Sequence, residues 1–182
     1  MRPDPLQAKL VISALISSEA LESSLFAALI QVWGDMDLVS ERMPFEHTKY
    51  YEAEMGPNLY RRLISFGKPL PADALVQTKL WSQGIEDRFR DNKGNRKCNI
   101  DPGLLGLSNF ILATRKGYTH RIYLGRGVYG DLTLIYRDGT FCPLDWTYPD
   151  YASTPMIDLL NLMRAVFRWQ KRHDPKGGED AL

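Results

Sequence analysis

Histidine and cysteine are scarce in this chain. Its 182 residues hold three histidines, His47, His120 and His173, and two cysteines, Cys98 and Cys142. A triple-histidine metal site would need His173, near the end of the chain, so such a site is discounted. The cysteines form no C-x-x-C pair, which excludes a zinc ribbon and a thioredoxin-type motif, and buried free thiols are expected ahead of a disulfide. No apolar run approaches the ~18 residues that a membrane-spanning helix requires. Charge of one sign is lacking as well: 23 basic against 22 acidic residues leave a net +1. So balanced a chain has no overall field to draw it to nucleic acid or a membrane. Pro3, Asp4 and Pro5 replace the basic-then-apolar order of a signal peptide, so the cytoplasm is the expected compartment.

Nucleotide motifs are missing or broken. A phosphate loop of the form G-x-x-x-x-G-K-[ST] is absent, because Gly67-Lys68 runs into Pro69, which offers neither a hydroxyl nor a donor amide. Gly125-Arg-Gly-Val-Tyr-Gly130 has the letters G-x-G-x-x-G, yet Asp131 to Tyr136 continues as strand where a dinucleotide site needs a helix. That stretch reads as a glycine turn between two strands; an anion-binding nest around Gly125 and Gly127, near Arg121 and Arg126, is the sharper alternative. Neither His47-Thr48 nor His120-Arg-Ile122 makes the paired H-x-[ST] of the two-histidine phosphoesterases.

What is present is alternating helix and strand pattern. With 44% hydrophobic residues, the chain is long enough for one core, expected over residues 1–172, with a disordered tail over 173–182. Leu10–Ile16 reads as a buried strand. Ser17 and Ser18 are candidate caps for a helix in which Leu21, Leu25, Ala28, Leu29 and Val32 recur at helical spacing and which stops at Gly34. A strand over 37–43 completes an opening βαβ unit. Next come a polar, aromatic loop with one helical turn (44–56), a strand over 59–66, and a helix from Pro71 to about Arg90 with Trp81, Ile85 and Phe89 on one side. Lys97–Asp101 alternates, setting Cys98 and Ile100 against Asn99 and Asp101, and Pro102-Gly103 is expected to end it. Leu104–Thr114 suits helix or strand, and helix is preferred. Strands over 119–124, 132–136 and 140–144 follow, the last two joined by an Asp138-Gly139 hairpin signal. A final helix from Thr154-Pro155 turns Met156, Leu160, Met163 and Phe167 inward. The fold class is therefore α+β: an opening βαβ unit, then a mostly antiparallel sheet with helices packed on one face.

Four ordered motifs stand out: Phe45-Glu-His-Thr-Lys-Tyr-Tyr-Glu-Ala-Glu-Met-Gly56, Asn99-Ile-Asp-Pro-Gly103, His120-Arg-Ile-Tyr-Leu-Gly125 and Trp146-Thr-Tyr-Pro-Asp-Tyr151. In that order they resemble the prokaryotic family called domain of unknown function 4416, over Lys9 to about Trp169. Members sometimes carry a GTP-binding label, so the resemblance implies nucleotide binding as one possibility. The guanine motif N-K-x-D is not met here, because Asn92-Lys93-Gly94-Asn95 ends in the wrong residue.

The motif residues are of types a core does not require, and they are read either as one polar cleft or as caps and hydrogen-bond networks that maintain the fold. In the cleft reading, Tyr51, Arg61, Arg62, Asn99, Arg121, Tyr123, Trp146 and Asp150 bind a small anionic or nucleotide-like compound, and His120 with Glu54 or Asp101 moves protons. Whether that makes the chain an enzyme is left open. No pattern names a cofactor, no carboxylate spacing matches a metal loop, and nothing speaks to oligomeric state. The alternatives are a non-catalytic interaction or structural protein and, third, an RNA-binding module built on aromatic and basic residues near Tyr123.

Overall fold

Every residue of strand β1 (Gln7–Ile16) after Gln7 is buried, because β1 lies in the middle of the sheet with both faces covered. The computed structural model describes residues 6–46 and 48–173. Helix α1 (Glu19–Trp33) follows, then β2 (Met36–Val39), β3 (Met43–Pro44), the short α2 (Glu52–Met55), β4 (Tyr60–Phe66) and β5 (Leu70–Pro71). Helix α3 (Leu75–Arg88) leads into β6 (Cys98–Leu105), β7 (Asn109–Thr114), β8 (Arg121–Gly125), β9 (Val128–Arg137), β10 (Thr140–Pro143) and α4 (Thr154–His173). Among the described residues ten strands form one sheet in the order β10-β9-β7-β6-β1-β4-β2, with β3 on β4, β5 on β1 and β8 on β9. Among the described residues every ladder is antiparallel. β4 is antiparallel to both β1 and β2, so those two strands run parallel with β4 between them. The βαβ opening is thus present in split form.

Local signals explain much of this. Gly34 ends α1 at φ 82°, its amide donating to Ile30 O at 2.8 Å, a conformation that suits glycine at a helix end. Ser18 occupies the N-cap in extended backbone, but its hydroxyl makes no capping bond, so Glu19 and Glu22 alone supply the first-turn negative charge. Asp138 and Gly139 have φ of 53° and 86°, as the two central residues of a type I′ hairpin must.

Four further expectations need correction. The helices cover both faces of the sheet. α1 and α3 pack on the side of Leu10, Ile12 and Ala14, while α4 sets Met156, Leu160, Met163 and Phe167 against Val11, Leu63, Leu105 and Phe110 on the other. Second, Leu104–Thr114 is a hairpin of strands; residues apolar on both faces carry no period-2 signature, so pattern alone cannot separate them from a helix. Third, Pro102-Gly103 does not end β6. Its ladder with β7 joins only Gly103–Leu105 to Phe110–Leu112, so Pro102, which has no amide to donate, sits where β6 is leaving β7. Fourth, Pro71 pairs with Gln7 instead of starting the helix. α3 begins at Leu75 and buries Thr78, Lys79, Ser82 and Glu86 along with Leu75 and Ile85, leaving Trp81 exposed.

His173 is the last residue of α4; the tail expected beyond it lies outside the described residues. Both cysteines are free, but Cys142 is only half-buried, against the expectation that both would be buried. Cys98 is buried, and burial, then the charge of Glu86, pushes its thiol up to about 12. Among the described residues no helix is long and apolar enough to cross a membrane.

Gly103 marks a close approach. A Cβ there would lie 2.5 Å from two Phe110 ring carbons and 3.1 Å from a Leu112 methyl. Gly103→Ala is expected to destabilise the fold by about 1–3 kcal/mol through overpacking. The check is a lower urea midpoint at unchanged m-value; an unchanged midpoint would show that the Phe110 ring moves aside freely.

Candidate functional site

The parting of β6 from β7 creates the site. From Gly103 toward Cys98, β6 keeps its ladder with β1 but has none with β7. Helix α3 fills the gap with side chains: Glu86 accepts the Ile100 amide at 2.5 Å, and Lys79 Nζ donates to Ile100 O at 3.0 Å and to Asp101 Oδ1 at 2.9 Å. Polar residues on the buried face of α3 therefore replace a missing strand, since buried backbone groups left unpaired would be costly. At the same place the molecule holds a cavity of about 550 Å³. Its walls come from β6, β7, α3, the loop carrying Phe45 and Tyr51, and the Tyr148–Tyr151 segment.

A hydrogen-bonded chain runs along one side. Arg96 grips Glu54 with Nε and NH2 at 2.9 and 2.7 Å and donates through NH1 to Asn99 Oδ1 at 2.9 Å. Asn99 Nδ2 donates to Asp101 Oδ2 at 2.7 Å, and Asp101 ends on Lys79. The bidentate pair holds Glu54 below the usual carboxylate range. The two carboxyls beside Lys79 are driven apart. Burial favours the neutral form of Asp101, yet its Lys79 and Asn99 contacts outweigh this and hold it low. For Glu86 burial prevails and its carboxyl is raised. One anionic and one more readily protonated carboxyl across an ammonium is an arrangement suited to acid–base work.

The opposite wall is aromatic and cationic. Arg61 lies between the rings of Phe45 and Tyr151, 4.9 and 5.1 Å from their centroids, and reaches Asp150 at 2.7 Å. Burial disfavours its charge, but Tyr151 and Asp150 more than compensate, so its pKa is raised. Arg121 donates Nε to Asp131 at 2.8 Å and NH2 to the Tyr148 hydroxyl at 3.1 Å. The Tyr51 and Tyr151 phenols are both raised, burial being the main cause.

Of the residues expected to form a cleft, Tyr51, Arg61, Asn99, Asp101, Arg121 and Asp150 all line this cavity. The rest do not. Arg62 points to the other sheet face, 3.6 Å from Glu22 and over Phe26, because neighbours on a strand face opposite ways. Glu54 stands behind Arg96. His120 is 3.2 Å from Asp131 and stacks on Trp146 with centroids 5.1 Å apart, so it meets neither Glu54 nor Asp101. Tyr123 is an exposed residue of β8 packed on Tyr129. Gly125, Arg126 and Gly127 form the β8–β9 turn with φ of 106°, 53° and 71°, and Arg115 NH1 donates to Arg126 O at 2.7 Å. His47 lies outside the described residues.

Sequence reasoning missed Lys79, Gln83, Glu86, Arg96, Arg115 and Lys116, all on the lining. A signal existed for the α3 members. Lys79, Gln83 and Glu86 recur at spacings of four and three, so one helical face is polar.

The charges decide what the cavity can hold. Its lining carries six guanidinium or ammonium groups against four carboxylates. Arg61, Lys79, Arg96 and Arg121 each have a carboxylate partner. Among the described residues, Arg115 and Lys116 meet none within ion-pair distance. Arg115 is held by the Arg126 carbonyl, and Lys116 Nζ lies 4.4 Å over the Tyr50 ring and 3.3 Å from its hydroxyl. Uncompensated positive charge is therefore concentrated on the turn that follows β7. Among the described residues no three His, Cys, Asp or Glu side chains gather as a metal site would need.

Fold and cavity define a class: an α+β protein with a split antiparallel sheet enclosing a polar, cation-rich pocket. The chain belongs to the family described as domain of unknown function (DUF4416), whose model matches residues 6–167. Comparison with curated proteins and with solved structures gave no match.

Proposed function

We propose that the cavity binds a small anionic, nucleotide-like compound whose negative group rests on Arg115 and Lys116. The observation that carries this reading is the pair of uncompensated cations beside a cavity of about 550 Å³, a size within the range of small-molecule sites. Tyr50 and Tyr148 offer ring faces next to them, while Asp101 and Asn99 supply hydrogen-bonding groups deeper in. Arg61 and Arg121, already neutralised by Asp150 and Asp131, orient groups and shape the wall. Within this reading Asp101 and Glu86 are the groups placed to accept and donate a proton, which supports hydrolysis or transfer as the chemistry to test.

A thermal-shift panel of nucleoside mono-, di- and triphosphates with phosphorylated sugars tests the proposal. A ligand at ~100 times its dissociation constant stabilises the native state by about 2.7 kcal/mol, a rise of roughly 5–10 °C for a domain of this size. The double variant Arg115→Ala/Lys116→Ala should lose most of that rise. It should melt close to wild type without ligand, since neither residue has a carboxylate partner among the described residues. No shift across the panel in the wild-type protein would remove the proposal.

A further inference from the structure

Resting on the anion-site reading, we infer that the ligand is a segment of single-stranded RNA. Its phosphates lie at Arg115 and Lys116, and its bases stack on the aromatic surface around them. Exposed aromatic rings gather beside the two free cations. Tyr118 is 69% exposed, Tyr50 64%, Tyr123 60% and Tyr148 53%, a costly surface to leave in water unless something covers it.

These rings form one connected surface. Lys116 sits over Tyr50, and its carbonyl accepts from Arg121, whose other nitrogen reaches the Tyr148 hydroxyl. The Tyr118 ring meets His120 edge-on, and His120 stacks on Trp146. Tyr123 and Tyr129 pack with centroids 5.2 Å apart, and Arg121 precedes Tyr123 by two residues, on the same face of β8.

The chemistry of this surface selects the partner. Ring faces alternating with cations match the alternation of bases and phosphates in a single strand, and stacking on aromatics tolerates any base. A duplex keeps its base faces inside and would leave the rings unused. Ribose is favoured over deoxyribose because the cavity wall presents Asp101 and Asp150 as acceptors, and a 2′-hydroxyl supplies a donor for them. The balanced total charge does not oppose this, since the excess is local. Two cations set the electrostatic part, and the rings set the rest.

Fluorescence anisotropy with end-labelled oligo(U), about 12 nucleotides long, from roughly 50 to 300 mM salt tests the inference. Two phosphate contacts predict a log–log salt slope of about −1.4, and Lys116→Ala should reduce it by about 0.7. Tyr123→Ala should weaken binding roughly 5- to 150-fold with the slope unchanged. Oligo(dT) should bind more weakly than oligo(U). Circular dichroism melts check that both variants, altered only at exposed side chains, remain folded. Thermal shift with UMP run alongside keeps the two readings apart. If UMP stabilises the protein but oligo(U) binds no tighter than UMP, the RNA assignment is overturned and the small-ligand cavity stands. If neither binds, the RNA assignment goes, while the small-ligand reading falls only if the wider panel of nucleotides and phosphorylated sugars is flat as well. Tighter binding of oligo(dT) would overturn the choice of RNA, and insensitivity to both substitutions would overturn the surface.

Discussion

Asp37→Asn is expected to destabilise the protein by about 3–5 kcal/mol, the usual cost of leaving a buried charge without its partner. Its partner, Lys9, is fully buried at the start of the central strand. The Lys9 ammonium donates to Asp37, to Phe66 O at 2.9 Å and to Gln170 Oε1 at 3.0 Å. Without the carboxylate only neutral oxygens face the charge among the described residues. For a chain of this length the melting temperature should fall by roughly 6–20 °C. Lys9→Met should cost less. Asp37 keeps its bonds from Ser65 at 2.6 Å and Gln170 at 3.0 Å, and its side chain is 20% exposed, so water can reach it. The reverse order would mean that the ammonium finds solvent by local opening.

The same pair predicts acid sensitivity. Burial alone would raise the Asp37 carboxyl, but hydrogen bonds from Lys9 and Ser65 outweigh it and hold the group below its ordinary 3.8. A carboxyl depressed in the folded state takes up a proton on unfolding. Its contribution is therefore complete above pH 3.8 and is lost as the pH falls through the lower, folded value. Denaturant midpoints measured down through this range should fall for wild type and fall less steeply for Asp37→Asn. Equal slopes would show that other depressed carboxyls, such as Glu54 and Asp101, carry all of the acid response.

Arg61→Met is the second large effect, about 3–5 kcal/mol for the uncompensated Asp150 left on the cavity wall. Loss of stacking on Phe45 and Tyr151 adds to this. Arg61 is 7% exposed, and its Nε is buried without a hydrogen-bond partner, so shape and pairing with Asp150 hold it in place. Arg61→Met/Asp150→Asn should recover part of the loss, the recovery measuring the coupling. This variant also separates two views of the site. From sequence, Arg61 was a candidate grip for the anion; in the fold its charge is already met by Asp150. Nucleotide-induced stabilisation should therefore survive in Arg61→Met better than in Lys116→Ala. The opposite ranking would return the anion to Arg61.

Much of the fold was legible because its signals are local. The α4 stripe, the Gly34 stop and the Asp138-Gly139 hairpin each involve residues within a few positions of one another, and each is found where expected. The alternation that set Cys98 and Ile100 against Asn99 and Asp101 also holds, with the first pair in the core and the second on the cavity side. The misses share a cause. Leu104–Thr114 lacks alternation because both its faces are covered. α3 defeats the apolar-stripe rule because part of its buried face bonds to the backbone of β6 through Lys79 and Glu86.

Composition and local pattern by themselves determined the α+β class, the order of the strongly patterned elements and the set of polar motif residues from which a site is drawn. The tertiary structure alone decided which of those residues meet and which charges remain uncompensated. Strand alternation can say that Arg61 and Arg62 face opposite ways, but not which of them faces the cavity. Nor can it say that Asp150, Asp101 and Asp131 neutralise Arg61, Lys79 and Arg121 while Arg115 and Lys116 meet no carboxylate among the described residues. The physical reason is range. Secondary structure follows from neighbours a few residues away, whereas a charge is cancelled by whichever side chain folding brings within about 4 Å, and here the partners come from different elements of the sheet and helices.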